Sequence, residues 1–311
     1  MQAANLLSKR AELTPTREAL LDLYTATRYS YADLNARACR VANLLRDRFH
    51  VGKGDRVSIL AHNSVAYLDL FYGVAKIGAV LAPLNWRLVA RELVYIASDC
   101  QPRVLFVGPE FTDVARVLQR ETAIEHYVGL EGASVGNGVP YDDALAAASG
   151  SEPERPSLSA DDPYCLLYTS GTTGPPKGAV LPHRQIVWNC INTVASWGLS
   201  EKDVSPIFVP LFHAGGLFAF MTPLLYLGGR LVLARSLEVE DSLHVIERER
   251  CTVILGVPTI YQMWLKADAF ADVDFGHVRF FISGGAPCPE SIMTAWRETK
   301  GIVFRQGYGL T

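Results

Sequence analysis

Tyr168-Thr169-Ser170-Gly171-Thr172-Thr173-Gly174-Pro175-Pro176-Lys177-Gly178 concentrates more phosphate-binding chemistry than any other stretch of the 311-residue chain. Four hydroxyls, on Thr169, Ser170, Thr172 and Thr173, interleave with Gly171 and Gly174. Glycines without a Cβ let backbone N–H groups turn toward an anion, and Lys177 adds a positive charge on a flexible stem. The spacing is not that of a Walker loop, which needs two glycines four residues apart and then Lys-Ser/Thr at a helix start. Pro175 and Pro176 remove two backbone donors and delay any helix, so hydroxyls, amides and Lys177 must meet the phosphates without much help from a helix dipole. The expected ligand is a di- or triphosphate tail. A bare Ser/Thr/Gly run would read as a surface loop. Gly, Pro and Lys at these offsets, after the apolar run Tyr164 to Tyr168, argue for a site.

Working outward, the length suggests about two domains. Hydrophobic residues make up 49% and charged residues 20%, with a formal charge of -3; nothing in that balance points to nucleic acid as a partner. The six cysteines (Cys39, Cys100, Cys165, Cys190, Cys251, Cys288) form no C-x-x-C or Cys/His cluster. This argues against a zinc site or disulfide framework and for a reducing, cytoplasmic compartment. Met1 to Arg10 does not have the form of a signal peptide. The longest apolar stretch, Ala214 to Gly229, contains Pro223 and is shorter than a membrane span, so a buried helix is expected there.

In chain order, Ser30-Tyr31-Ala32-Asp33 has the form of a capping box, and Leu34, Ala38, Val41 and Leu45 follow at helical spacing. Short strands are expected at 56–61, 79–84, 104–107 and 126–129, with helices at 65–77, 90–98 and 112–119 between them. From Glu131 to Asp162 glycines and prolines interrupt the pattern and predict a surface connection, with a helix only at 141–148. Beyond the phosphate loop, helices at 184–196, 215–227, 239–250, 258–266 and 289–299 alternate with strands at 204–209, 230–233, 253–255, 278–283 and 302–305. This order predicts an α/β fold of two mainly parallel sheets packed with helices, divided into a first subdomain, 1–162, and a second, 163–311.

Ligands of open α/β sheets bind beyond the carboxyl ends of strands. Three polar, glycine-rich segments are expected at such ends: Pro210-Leu211-Phe212-His213-Ala214-Gly215-Gly216, Ser283-Gly284-Gly285-Ala286-Pro287-Cys288-Pro289, and Gln306-Gly307-Tyr308-Gly309-Leu310-Thr311. With the loop at Tyr168 they are candidates to converge on one cleft. Gly284 and Gly285 would admit a flat ring, Tyr308 would stack on a base, and Thr311 would offer a hydroxyl to a phosphate. Singly, Gly284-Gly285 also reads as a turn, Tyr308 as a packed core tyrosine and His213 as a structural histidine.

Together, in this order and spacing, the four motifs resemble those of the adenylate-forming superfamily, which includes acyl- and aryl-CoA synthetases, peptide synthetase adenylation domains and firefly luciferase. Thr169-Ser170-Gly171-Thr172-Thr173-Gly174 combined with Phe212-His213-Ala214-Gly215-Gly216 looks most like a fatty acyl-CoA synthetase. The resemblance implies ATP, Mg²⁺ and CoA as cofactor and co-substrates, and a fatty or aromatic carboxylic acid as substrate. It implies that Thr169 to Gly174 and Lys177 embrace the β- and γ-phosphates, with Thr169 a Mg²⁺ ligand. Gly284, Gly285, Ala286, Pro287, Gln306, Gly307 and Tyr308 would hold adenine, and Thr311 the α-phosphate. His213, Gly216, Val257, Pro258 and Gly284 would line the acyl pocket. Lys177, His213 and Thr311 are the catalytic candidates.

The departure lies at Thr311. The family pattern continues with an acidic Mg²⁺ ligand, a ribose-binding Asp, a hinge and a small domain that carries a further Lys. The chain is therefore read as the large-domain portion of a carboxylate-CoA ligase, with little turnover expected of this portion. An adenylating domain that loads a carrier protein, or a non-catalytic nucleotide-binding module, are the alternatives, and an oligomer formed through exposed apolar surface is compatible with either.

Overall fold

The computed structural model describes residues 3–169 and 174–311. The chain forms two compact units. The first comprises Met1–Thr16, Ser30–Asn189 and Thr311, and the second comprises Arg17–Tyr29 and Cys190–Leu310.

The first unit is built on a seven-stranded sheet in the order Val139–Pro140, His126–Gly129, Val104–Val107, Arg56–Leu60, Val80–Pro83, Pro163–Thr169, Lys177–Pro182. All neighbours are parallel except the last pair, which is antiparallel. The central strands are apolar and buried on both faces, as parallel strands covered by helices require. The capping box forms as its residues predict. Ser30 Oγ accepts the Asp33 N–H at 3.1 Å, and the Asp33 carboxylate accepts the Ser30 N–H at 2.9 Å. The helix Tyr31–Phe49 then buries Leu34, Ala38, Val41 and Leu45.

One boundary differs from the expected one. Pro163–Thr169 pairs with Val80–Pro83, and Lys177–Pro182 closes the sheet edge. The first compact unit therefore runs to Asn189 and not to 162. The connection Glu131 to Asp162 is tied down by buried charge: the Lys76 ammonium donates to Ser8 Oγ at 2.6 Å, Asn35 Oδ1 at 2.9 Å and Glu152 Oε1 at 2.8 Å. A buried ammonium needs such partners.

The second unit holds two sheets. One has the order Val204–Ile207, Arg230–Leu233, Glu18–Asp22, Thr27–Ser30, and the other is the parallel set Val253–Gly256, Phe280–Ser283, Arg305–Gln306. Thr252 joins them, donating its N–H to the Val204 carbonyl at 2.8 Å, while Thr252 Oγ1 accepts the Val204 N–H at 2.9 Å. The expected strand 302–305 is shifted to Arg305–Gln306. Between helices and sheet lie Tyr261, Trp264, Phe281, Trp296 and Phe304 in edge-on and tilted contact. Their polar atoms are satisfied: Tyr261 Oη donates to the Ile282 carbonyl at 2.7 Å, and Trp264 Nε1 to Ser242 Oγ at 2.8 Å.

The apolar stretch 214–227 is helical throughout but changes pitch. Leu217–Met221 forms a π-turn, in which Thr222 Oγ1 donates to the Leu217 carbonyl at 2.6 Å. The extra residue in the turn makes room for Pro223, whose ring would clash with the carbonyl of an ordinary α-turn. Among the described residues no helix is long and apolar enough to cross a membrane. All six cysteines are buried and unbridged.

Candidate functional site

The first unit carries the candidate phosphate loop at the tip of a β-hairpin. Pro163–Thr169 and Lys177–Pro182 are antiparallel, with Tyr168 opposite Gly178 and Thr169 opposite Lys177. The next helix begins only at His183, so no helix N-terminus follows the loop directly. Ser170, Gly171, Thr172 and Thr173, four of the candidate residues, lie outside the described residues. Thr169 is half-buried, and Lys177 is exposed. Among the described residues nothing lies within 4 Å of where a Cβ on Gly174 would stand. Gly178 is different: a Cβ there would lie 2.8 Å from Leu166 Cδ1 and 3.2 Å from Tyr168 Cζ. The Tyr168 ring closes over that position and packs on a core that includes Leu60, Ala82, Leu93 and Cys100.

The second unit brings three glycine-bearing strand ends side by side. Gly284 donates its N–H to the Gly256 carbonyl at 3.1 Å, and Gly307 donates to the Ser283 carbonyl at 2.9 Å. The predicted segments at Gly284 and Gly307 thus share one rim at the carboxyl ends of parallel neighbours, where open α/β sheets bind ligands. Gly285 has φ +79°, so the turn after Ser283 uses the left-handed region. Ala286 and Pro287 beside it are exposed, as is Gln306, which pairs with Ser283. Tyr308 is 92% exposed, which overturns the reading of it as a packed core tyrosine. Thr311 is also exposed.

His213 is exposed and sits in extended conformation at the head of the helix that starts at Ala214, its ring 4.7 Å from that of Phe212. Its carbonyl accepts the Gly216 N–H at 3.0 Å and the Leu217 N–H at 3.1 Å. Gly216 is fixed by contact: a Cβ would stand 2.3 Å from the Pro210 carbonyl oxygen. Val257 caps the helix Pro258–Leu265 in extended conformation, and buried Pro258 occupies its first turn. Sequence reasoning did not single out Gly256. Its signal is a glycine between an apolar strand and a Val-Pro helix start, and a Cβ there would meet the Tyr261 ring at 2.9 Å.

A single family model, described as AMP-binding enzyme, matches residues 7–311. The chain belongs to the AMP-binding enzyme family. This member is 34% identical over 303 residues to a feruloyl-CoA synthase of an Amycolatopsis species, matching 97% of the chain and 58% of the relative. It is 32% identical over 313 residues to the long-chain-fatty-acid–CoA ligase FadD13 of Mycobacterium tuberculosis, matching 98% of the chain and 59% of that ligase. Among solved structures it is similar to ATP-bound MatB from Rhodopseudomonas palustris, with TM-score 0.86 and 31% identity, covering all of this chain and 60% of MatB. The chain thus spans a little under three fifths of the curated relatives it matches. The match to the AMP-binding enzyme family runs through both units.

Among the described residues no group of three His, Cys, Asp or Glu is placed to hold a metal ion. The hydroxyl of Thr169 alone is not a magnesium cage. Mg²⁺ commonly enters such sites on the substrate's own phosphates, and one hydroxyl beside a lysine fits that arrangement.

Proposed function

We propose that the chain is the nucleotide-binding portion of an ATP-dependent carboxylate-CoA ligase acting on a fatty or aromatic acid. The observation that carries this reading is the hairpin that sets Thr169 opposite Lys177 at the mouth of a hydroxyl- and glycine-rich loop, in a chain of this family. In the whole protein a substrate carboxylate oxygen attacks the α-phosphorus of ATP, and the bond to pyrophosphate breaks. CoA sulfur then attacks the acyl carbon, and AMP leaves. Neither step needs a protein nucleophile. The work of the chain is to bind, orient and neutralise developing charge.

In this reading Thr169 to Gly174 and Lys177 hold the β- and γ-phosphates, Lys177 as a point charge and Thr169 as a hydroxyl donor or Mg²⁺ ligand. Gly284 to Pro287, Gln306, Gly307 and Tyr308 hold adenine, with the exposed Tyr308 ring free to lie on the base. Thr311 meets the α-phosphate. His213, Gly216, Val257 and Pro258 contact the acyl group, and His213 stands at the entrance to an apolar helix. Support for a fatty or aromatic acid comes from the named substrates of the relatives.

The test is calorimetric titration of the chain with Mg·ATP. Wild type should bind, and Lys177→Ala should bind roughly tenfold to a hundredfold more weakly, the usual worth of a hydrogen bond to a charged group. Equal affinity of the two proteins would sink the assignment of the loop.

A further inference from the structure

One side chain from outside the loop motif reaches the stem of its hairpin. Asp99 lies near the carboxyl end of the helix Ala90–Cys100, and its carboxylate accepts a hydrogen bond from the Tyr168 hydroxyl. Tyr168 is half-buried. Burial, and then the hydrogen bond to Asp99, raise its phenol far above the ordinary tyrosine value, so the hydroxyl stays a donor. The same ring covers Gly178 on the opposite strand, and the next pair in the register is Thr169 with Lys177. A chain of contacts therefore runs from Asp99 through Tyr168 and Gly178 to the two residues at the mouth of the loop.

We propose that Asp99 is a positioning residue: through Tyr168 it fixes the hairpin stem, so that Thr169 and Lys177 are held in place for a nucleotide polyphosphate. The inference rests on the reading of the loop as a phosphate site. Asp99 is exposed, so its removal does little to the core. An unanchored stem would instead have to be ordered when ligand binds, and that cost appears in affinity. Charge alone predicts the opposite, because a carboxylate near a polyphosphate site repels the ligand and its removal would tighten binding.

The experiment titrates Mg·ATP into the 311-residue chain as wild type, Asp99→Ala, Asp99→Asn, Tyr168→Phe, the double variant Asp99→Ala/Tyr168→Phe, and Lys177→Ala, with thermal unfolding of each. The expected result is a roughly threefold to tenfold loss of affinity in Asp99→Ala and in Tyr168→Phe, the usual worth of one hydrogen bond. The double variant should be no weaker than either single one. Asp99→Asn, which keeps an acceptor, should bind like wild type, and melting temperatures should stay together. Wild-type affinity in Asp99→Ala and Tyr168→Phe overturns the inference while leaving the phosphate site intact, provided Lys177→Ala still weakens. Tighter binding in Asp99→Ala, or an affinity loss that tracks a fall in melting temperature, also overturns it. No binding by wild type, or no effect of Lys177→Ala, overturns the phosphate-site reading and the positioning role with it.

Discussion

Gly284 gives its backbone N–H to the carbonyl oxygen of Gly256 at 3.1 Å, across the carboxyl ends of two parallel strands. The residue after it, Gly285, turns the chain away with φ +79°. These neighbouring glycines should respond differently to substitution. A Cβ on Gly284 would meet the Gly307 carbonyl at 3.4 Å, an ordinary contact. Gly284→Ala should therefore leave stability near wild type. Gly285→Val forces a β-branched residue into the left-handed region and should cost about 1–2 kcal/mol. Urea unfolding of the two variants checks the contrast.

Tyr308 supplies a test of a different kind. Its ring makes almost no contribution to the core, being 92% exposed, so Tyr308→Ala should unfold at the wild-type urea midpoint. If the ring stacks on adenine, the same change should weaken Mg·ATP roughly fivefold to a hundredfold, the range for loss of one base-stacking aromatic. Phenylalanine at 308 should restore most of it, because the face of the ring and not the hydroxyl does the stacking. Calorimetry on the three proteins decides.

His183 should make the first unit acid-sensitive. It is fully buried, lies flat against Tyr164 at 4.9 Å, and neither ring nitrogen has a hydrogen-bond partner among the described residues. Burial, helped by the Lys53 charge and opposed by the Asp162 carboxylate, holds its pKa down to about 4. With the folded value below the unfolded one, the unfolded chain binds the proton first as pH falls. Stability is therefore greatest above about pH 6.5 and declines toward pH 4, by an amount of the order of 3 kcal/mol. His183→Phe keeps a flat ring on Tyr164 and should flatten that slope. Denaturation midpoints at pH 7, 6, 5 and 4 provide the measurement.

Asp203 acts in the same direction but at lower pH, because it is a carboxyl and not an imidazole. Burial opposes its charge, but Arg279, the Thr252 hydroxyl and the Ser200 N–H together hold the carboxyl below its usual value. Its contribution is present above about pH 4 and is lost as pH falls through the depressed value. It sits at the seam that Thr252 makes between the two sheets of the second unit. Asp203→Ala should cost about 2 kcal/mol at pH 7, the worth of hydrogen bonds to a buried carboxylate, and the difference from wild type should shrink below pH 3. Guanidinium titrations at the two pH values test this.

Much of the fold is local and therefore readable. Ser30 and Asp33 cap a helix within four residues, and Gly228 and Gly301 end helices in the left-handed region. The apolar strands between such signals leave little choice but a parallel sheet. What escaped the sequence is non-local. Glu18–Asp22 has no pattern of its own beyond Ala19, Leu20 and Leu21, and becomes a strand because Arg230–Leu233 lies beside it. Lys177–Pro182 is a strand because Pro163–Thr169 offers an edge. At the candidate site, glycine spacing exposed the strand ends at Gly284 and Gly307. Asp99 carried no signal, since a single acid near the end of a helix is ordinary until the residue it touches is known.

The pairing of Glu18–Asp22 with Arg230–Leu233 has a consequence for the order in which the protein can be made. Glu18 and Arg230 are 212 residues apart. A ribosome releases the early strand long before its neighbour exists, while the flanking Met1–Thr16 and Ser30–Asn189 can already begin to assemble. Ala19, Leu20 and Leu21, buried in the finished sheet, therefore emerge with only Thr27–Ser30 as a neighbouring strand, and their other edge stays open until Arg230–Leu233 is made. Contacts this distant in the chain are slow to close, so that edge of the sheet is completed late.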